Sequence, residues 1–393
     1  MTAGGVQLSV VVMHHPSRAA LIPDLVRACE PLHVRVVQDP DPDGPPSALR
    51  TAKVAWAAIE DGASHHLVLQ DDVVPAPGFA AQVEAAVAAR PADGTTLYVN
   101  WDSPLNAYLV RRAALVGSAW APLSEREWIP TLGLALPVAE ARNLADRLAQ
   151  LPDDGFWGDD DEALAEFFRD RGLRIACTVP HLVDHTDVPS LAGNELLGSR
   201  HGAVTSPLTG LGPDHWSFER DPVDGLGLDG DFADHVVELR GSRCSIRFVR
   251  PAVPASPRPG GGEFLEHPFA WYWYDWAGLV GVDAERVVDH LRHLAEPGRS
   301  TIPLAILDPA VATEVWAAGY LLGADTARLG LRTKGGVGGT STDAGPARAA
   351  LGSWIDAGLS RMPGYAEREA YVDLCAEGYR TARHEHEGTG GLR

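Results

Sequence analysis

Two adjacent aspartates, Asp71 and Asp72, follow the apolar stretch Leu67–Leu69 and the single residue Gln70. This stretch predicts a short buried strand, and the Pro- and Gly-containing turn after the aspartates ends it, so both carboxylates should face solvent at its C-terminal end. One hypothesis is a divalent-cation site, because hard cations prefer oxygen ligands. The alternative is a solvated turn or a helix N-cap, because neighbouring carboxylates repel each other and prefer water.

A second acidic cluster, Asp159, Asp160 and Asp161, precedes a stretch with helical apolar spacing. Acidic residues at a helix N-terminus cap it and suit its dipole, but three in a row exceed what capping needs. Neighbouring like charges should raise the pKa of one member, which would make an empty site of this kind costly.

Further along the chain, the predicted loop after the next strand carries His181, Asp184, His185 and Asp187. A lone loop histidine is more often structural. Because this loop follows two acidic clusters, a histidine in it is also a candidate metal ligand.

Predicted strands and helices alternate in the first half of the chain, which indicates an α/β fold with a mostly parallel sheet flanked by helices. In such sheets ligands bind beyond the carboxyl ends of the strands. The first three predicted strands end at residues that should therefore share one crevice, namely His14, His15, Ser17 and Arg18, then Gln38 and Asp39, then Asp71 and Asp72.

Three cations, Arg18, Arg50 and Lys53, lie closest in sequence to this edge. Arg50 and Lys53 are spaced to share one helix face and to reach a diphosphate, although a plain solvated face fits them equally. No GxGxxG or GxxxxGK[ST] motif follows the first strand, so a bound nucleotide would need a metal ion to neutralise its diphosphate.

The composition predicts a soluble cytoplasmic protein of two domains. The chain has 393 residues and a net charge of −20, from 33 Lys and Arg against 53 Asp and Glu, which disfavours nucleic acid as a partner. Its four separated cysteines suggest reduced thiols. The sequence shows neither a signal-peptide pattern nor an apolar stretch long enough to predict a membrane span.

The amino-acid composition becomes rich in Gly, Asp and Pro near Gly210. This change predicts two domains, 1–208 and 209–393. The second domain should be mixed or mainly helical, and a homodimer through it is left open. Its aromatic run, from Phe264 to Trp276, fits a core or domain interface better than a sugar-stacking surface.

The first half of the chain resembles the glycosyltransferase A fold of nucleotide-sugar-dependent transferases, a Rossmann-like α/β fold. The stretch LVLQDDVVP resembles the DxD region of that family, and GDDDEALAEFF resembles the acidic motif that carries the base in inverting members. The stretch VDH resembles a late metal-ligand histidine, and WIPTLGLALP, Trp128–Pro137, resembles the segment lining the donor sugar and acceptor. Gln70 departs from the family, because an acidic residue often stands there.

The resemblance implies a metal-dependent glycosyltransferase that inverts the anomeric centre, with Mn²⁺ or Mg²⁺ as cofactor. A nucleotide-sugar would be the donor, and the acceptor a hydroxyl on an unidentified glycan, peptide or small molecule. Asp161 matches the catalytic base best, followed by Asp160. Asp72 and His185 would hold the metal. The residues assigned to the nucleotide-sugar are His15, Arg18, Asp39, Arg50, Lys53 and Asp71.

Two alternatives belong to other classes of protein. A nucleotidyltransferase acting on a sugar phosphate has a similar sheet and acidic metal site, but the Gly-rich basic loop expected after its first strand is missing from this sequence. A non-catalytic carbohydrate-binding protein would instead use the aromatic run as its binding surface.

Overall fold

The computed structural model describes residues 5–124, 127–152, 160–186, 188–191, 200–205, 211–212, 214–217, 235–248, 270–332, 341–343, 345–360 and 367–389. Several predictions from the sequence fall outside these residues. They concern Asp159, Asp187, the boundary at 208 and the aromatic residues Phe264 and Phe269.

Strands and helices alternate through the first half of the chain, and helices dominate the end. The strands are β1 (Leu8–His14), β2 (Val34–Gln38), β3 (His65–Gln70), β4 (Val73–Pro75), β5 (Gly94–Thr96), β6 (Trp120–Pro122), β7 (Gly133–Pro137), β8 (Ile175–Thr178), β9 (Val183–His185), β10 (His235–Arg240), β11 (Arg243–Phe248) and β12 (Trp271–Tyr272). The α-helices are α1 (Ile22–Ala28), α2 (Ala48–Ala57), α3 (Phe79–Ala89), α4 (Asn106–Val116), α5 (Val138–Ala149), α6 (Asp160–Arg171), α7 (Trp273–Trp276), α8 (Ala284–Leu294), α9 (Pro309–Arg332), α10 (Gly345–Leu359) and α11 (Arg368–Thr389).

The chain divides into two compact units. Unit 1 comprises Met1–Asn100 and Ala119–Phe218, and unit 2 comprises Trp101–Ser118 and Glu219–Arg393. Unit 2 therefore includes α4, which the sequence places among the elements of the first domain. That either unit folds as an independent domain stays a prediction.

Unit 1 contains a seven-stranded mixed sheet in the order β2-β1-β3-β7-β5-β8-β6. β1 lies parallel to both β2 and β3, and its residues Val10–Val12 are fully buried, as an apolar strand covered on both faces requires. β7 and β6 run antiparallel to their neighbours. The predicted α/β class with a mostly parallel sheet is confirmed at this level. The carboxyl ends of β1, β2 and β3 lie at one edge.

Two short segments of unit 1 differ from the sequence prediction. Val73–Pro75 was expected to form a turn and Val183–His185 a loop, but they pair as an antiparallel two-stranded ribbon, β4 with β9. The stretch TTLYVNW, Thr95–Trp101, has the composition of a strand, but only its residues Thr95 and Thr96 belong to one, β5. The ribbon matters for the site, because its register pairs Val73 with His185.

Unit 2 combines a three-stranded antiparallel sheet, β10-β11-β12, with helices. This agrees with the mixed or mainly helical second half that the sequence predicts. Part of the aromatic run packs into its core, since Trp273 is 1% exposed, whereas Tyr274 lies at the surface. No helix in the described part of the chain is long and apolar enough to cross a membrane.

Glycines allow α9 and α11 of unit 2 to pack closely. A β-carbon at Gly319 would overlap the carbonyl oxygen of Cys375, and one at Gly323 would overlap that of Tyr379. Both overlaps involve backbone atoms, which cannot swing aside as a side chain can.

Gly319→Ala is therefore expected to lower the free energy of unfolding by about 3 kcal/mol, because the helices must separate to admit the methyl group. Gly278→Ala is the matched control, since a β-carbon there meets nothing within 4 Å. Urea denaturation of both variants measures the difference. Equal stabilities would show that the α9–α11 contact tolerates a wider spacing.

Candidate functional site

The two strand-end aspartates are buried, which corrects the expectation that they face solvent. Asp71 is 4% exposed and Asp72 is 2% exposed. Asp71 Oδ2 accepts a hydrogen bond from the backbone N–H of His15 at 2.8 Å and lies 3.2 Å from His14 Nδ1. The ends of the parallel neighbours β1 and β3 are thus joined through this carboxylate, which excludes the solvated-turn alternative.

Arg18 binds both aspartates with the same nitrogen. Its Nη1 lies 2.9 Å from Asp71 Oδ1 and 2.8 Å from Asp72 Oδ2. Its Nη2 donates to the carbonyl oxygen of Pro189 at 2.7 Å. Because two adjacent buried carboxylates repel each other, the guanidinium supplies the positive charge that offsets this repulsion.

His185 lies on the other side of Asp72, where the β4–β9 register puts it. Its Nδ1 is 2.5 Å from the carbonyl oxygen of Thr186, which can only accept, so Nδ1 carries the proton. Its Nε2 lies 3.3 Å from Asp72 Oδ2. Burial lowers the pKa of His185, and the nearby Asp72 carboxylate opposes this effect. In the neutral ring, a lone pair on Nε2 therefore faces a carboxylate oxygen.

The arrangement around Asp72 favours a shared cation. Two electron-pair donors facing each other repel unless a proton or a metal ion lies between them. The other carboxylate oxygen, Asp72 Oδ1, is buried and has no hydrogen-bond partner among the described residues. Asp72 and His185 therefore lie close enough to share a cation, and their role as metal ligands stays a prediction.

Asp160 joins the same edge through a short relay. Gln70, the last residue of β3, donates from Nε2 to Thr131 Oγ1 at 3.0 Å, and that hydroxyl donates to Asp160 Oδ1 at 3.3 Å. Asp160 is 3% exposed at the first turn of α6. Asp161 is more exposed, and its Oδ1 accepts the backbone N–H of Glu162 at 2.8 Å. The structure thus links Asp160, rather than the preferred Asp161, to the end of β3.

The end of β2 is organised by an ion pair. Asp39 binds Arg50 in a bidentate fashion, with Nε–Oδ1 at 2.7 Å and Nη2–Oδ2 at 2.8 Å. The hydrogen bonds from Arg50 hold the pKa of Asp39 below its ordinary value. His15 Nε2 lies 3.1 Å from the carbonyl oxygen of Pro42, which ties the loop after β2 to the end of β1.

This ion pair gives a pH-dependent prediction. The pKa of Asp39 in the folded state lies below its unfolded value of about 3.9, so its stabilisation is present above about pH 4 and is lost as the pH falls. Arg50→Gln should therefore destabilise the protein most near neutral pH, and the difference from wild type should shrink below about pH 4. Urea midpoints across this range measure it.

Arg27→Gln is the matched control, because Arg27 and its partner Asp24 have side chains that are 68% and 81% exposed. Exposed pairs contribute little, so this variant should follow the wild type throughout. A constant difference for Arg50→Gln down to about pH 3 would show that its contacts with backbone carbonyls, not the carboxylate, carry its contribution.

Lys53, His14 and Thr131 make contacts that the sequence does not predict. Lys53 donates from Nζ to the carbonyl oxygen of Leu151, so it is engaged near the end of α5, and its role toward a diphosphate stays a prediction. His14 was gathered at the strand end but assigned no role, although it contacts Asp71. Thr131 was missed as well, because a threonine inside an apolar segment gives no signal of its own.

Comparison with known proteins adds no assignment. The chain matches no protein-family model, and no curated protein is significantly similar to it.

Proposed function

We propose that this protein is a metal-dependent glycosyltransferase that moves a sugar from a nucleotide-sugar to a hydroxyl acceptor. The observation that supports it most is the relay from Gln70 through Thr131 to Asp160, because it joins a candidate base to the strand end that carries Asp71 and Asp72. A transferase needs these two functions side by side, one at the leaving diphosphate and the other at the acceptor hydroxyl.

Asp72 and His185 would hold Mn²⁺ or Mg²⁺, which when bound stabilises the charge of a departing diphosphate. Among the described residues, no group of three or more His, Cys, Asp and Glu side chains is gathered as a metal cage. Two protein ligands suit this use, because such ions commonly complete their coordination with substrate phosphates and water. Two atoms fit that role: Asp72 Oδ1, which has no hydrogen-bond partner in the described part of the chain, and His185 Nε2, which faces Asp72 Oδ2.

Arg18 is the cation best placed to meet a diphosphate, because its guanidinium already lies against both aspartates. Its planar fork suits phosphate oxygens. Asp71, held by His15 and Arg18, would orient the ribose or a water molecule, and Asp39 the ribose or base. Arg50 would act through Asp39, since the two are paired.

Asp160 would accept the proton of the acceptor hydroxyl as the new glycosidic bond forms, which increases the nucleophilicity of that oxygen. Thr131 donates to Asp160 Oδ1 and thereby holds the carboxylate in place. An attack assisted in this way, on the face opposite the leaving group, inverts the anomeric centre.

A thermal-shift screen of UDP-, GDP-, dTDP- and CDP-sugars, with and without Mn²⁺, tests the donor class. Binding to the folded state raises the melting temperature by mass action, so one base should raise it and the increase should require the metal. A shift with nucleoside triphosphates, accompanied by pyrophosphate release on adding a sugar phosphate, would instead support the nucleotidyltransferase. Glycan binding without turnover would support the carbohydrate-binding alternative.

A further inference from the structure

Arg18 and His185 meet at the same oxygen of Asp72. Asp72 Oδ2 accepts a hydrogen bond from Arg18 Nη1 at 2.8 Å, and the same oxygen lies 3.3 Å from His185 Nε2. A divalent cation held by Asp72 and His185 would therefore approach an oxygen that already binds the positive charge of an arginine.

The contact is shielded from water, so its charge balance matters. The side chains of Arg18, Asp71 and Asp72 are 12%, 5% and 3% exposed. Buried charges are screened little, and two cations a few ångströms apart therefore repel each other strongly. One guanidinium against two carboxylates leaves a single net negative charge. A divalent ion added beside Arg18 would make the group net positive, whereas a divalent ion that replaces Arg18 would make it neutral.

Arg18 is attached to a part of unit 1 from which its side chain can swing. It is the last residue of the short 3₁₀ turn Pro16–Arg18, which contains no buried residue. Its neighbours Ser17 and Ala19 are exposed. Release of the guanidinium breaks its hydrogen bonds to the two aspartates and to the carbonyl oxygen of Pro189. None of these changes requires a strand of the sheet to move.

We propose that Arg18 couples metal binding to nucleotide binding, because it competes with the divalent ion for Asp72. The metal alone binds weakly, since it must displace the guanidinium or tolerate its charge. A diphosphate accepts hydrogen bonds from the planar guanidinium and draws it away from Asp72. Metal and diphosphate then each increase the affinity of the other, as linkage requires. The identity of the second ligand as a diphosphate rests on the proposed transferase function.

Arg18→Gln in the full-length protein tests the competition. It should bind Mn²⁺ alone at least about tenfold more tightly than the wild type, because the competing charge is gone. Its affinity for a nucleoside diphosphate with Mn²⁺ should fall at least about tenfold, because the guanidinium that meets the phosphates is also gone. Electron paramagnetic resonance of free Mn²⁺ gives the first affinity, and calorimetry with UDP, GDP, dTDP and CDP in turn gives the second. A purely structural role for Arg18 would weaken both.

Two further variants isolate the contact with Asp72. The positive charge of Arg200 also acts on His185, but its Nη2 donates to the carbonyl oxygen of Val188 at 3.4 Å. Arg200→Gln should therefore raise the affinity for Mn²⁺ alone by less than about threefold. Arg18→Lys keeps a positive charge beside the aspartates and should bind Mn²⁺ alone as weakly as the wild type. An equal gain in Arg18→Gln and Arg200→Gln would overturn the proposal.

The stability of Arg18→Gln gives an independent readout. Two buried carboxylates lose their cation, so the variant should melt below the wild type, and Mn²⁺ should raise its melting temperature more than that of the wild type. Equal affinity of both proteins for Mn²⁺ alone, or an unfolded Arg18→Gln that Mn²⁺ does not refold, would overturn the proposal.

Failure of this proposal is distinguishable from failure of the transferase function. Metal-dependent binding of one nucleoside diphosphate to the wild type, with no gain in Mn²⁺ affinity in Arg18→Gln, would leave the transferase function standing and reject the competition. A gain in Mn²⁺ affinity in Arg18→Gln, with none of the four diphosphates bound by the wild type, would support the competition and reject the coupling together with the transferase function.

Discussion

Asp160→Asn is expected to lower the rate of sugar transfer by about 100- to 10,000-fold while leaving the affinity for the nucleotide-sugar unchanged. Asparagine keeps the oxygen that accepts from Thr131, so the start of α6 and the relay to Gln70 should persist. The amide cannot take a proton from the acceptor, however. Donor affinity by calorimetry and initial rates of transfer must both be measured, because a distorted metal site would also silence the enzyme.

Asp161→Asn is the matched control for this prediction. The two aspartates are adjacent at the same helix end, so both substitutions remove one charge from the N-terminus of α6, at a cost of about 0.3 to 1 kcal/mol. Of these two aspartates, Asp160 is the one that accepts a hydrogen bond from Thr131 in the described part of the chain. If Asp161→Asn loses activity and Asp160→Asn keeps it, the base is the residue that the family resemblance favours. If both variants transfer sugar at wild-type rates, the acidic cluster is only a helix cap.

Asp72→Asn is expected to weaken Mn²⁺-dependent binding of a nucleoside diphosphate by about 100-fold or more, because it removes the charged ligand beside His185. The substitution preserves the shape of the side chain, and Arg18 still has Asp71 as a partner. Circular dichroism should therefore show an intact fold. Calorimetry with the nucleoside diphosphate, with and without Mn²⁺, gives the two affinities.

Asp184→Asn controls for the loss of a nearby charge. Asp184 precedes His185 in β9, and its Oδ1 accepts from the backbone N–H groups of His185 and Gly202, contacts that an asparagine oxygen can keep. It should bind the metal–nucleotide pair nearly as the wild type does. Unchanged affinity in Asp72→Asn would instead show that the Asp71–Asp72 pair only anchors Arg18 and the end of β1.

The sequence predicts many of the residues that meet at the ends of β1 and β3, because the apolar runs that mark these strands are local features. The apolar runs that form β1 and β3 are long enough to be read as strands, and their ends place Arg18, Asp71 and Asp72 together. Parallel pairing of neighbouring strands then brings His15 to Asp71. These inferences need only the period of a strand and the rule that parallel strands share one edge.

The rest of the site depends on contacts between distant parts of the chain. β4 contains a proline and is short, so nothing local marks it as a strand, and it forms because β9 pairs with it. The choice between Asp160 and Asp161 depends on which of them faces Thr131, which the spacing of residues does not reveal. The burial of Asp71 and Asp72 also follows from the whole fold, since Arg18 compensates charges that would otherwise require water.

The proposed sugar transfer is best tested by incubating the wild-type protein with a panel of nucleotide-sugars and Mn²⁺ and measuring the release of nucleoside diphosphate. Slow hydrolysis is expected in the absence of an acceptor, because water can take the place of the acceptor hydroxyl. A metal-dependent glycosyltransferase should cleave one of the nucleotide-sugars, EDTA should stop the release, and Asp72→Asn should abolish it. No cleavage of any member of the panel, combined with pyrophosphate release from a nucleoside triphosphate and a sugar phosphate, would contradict it.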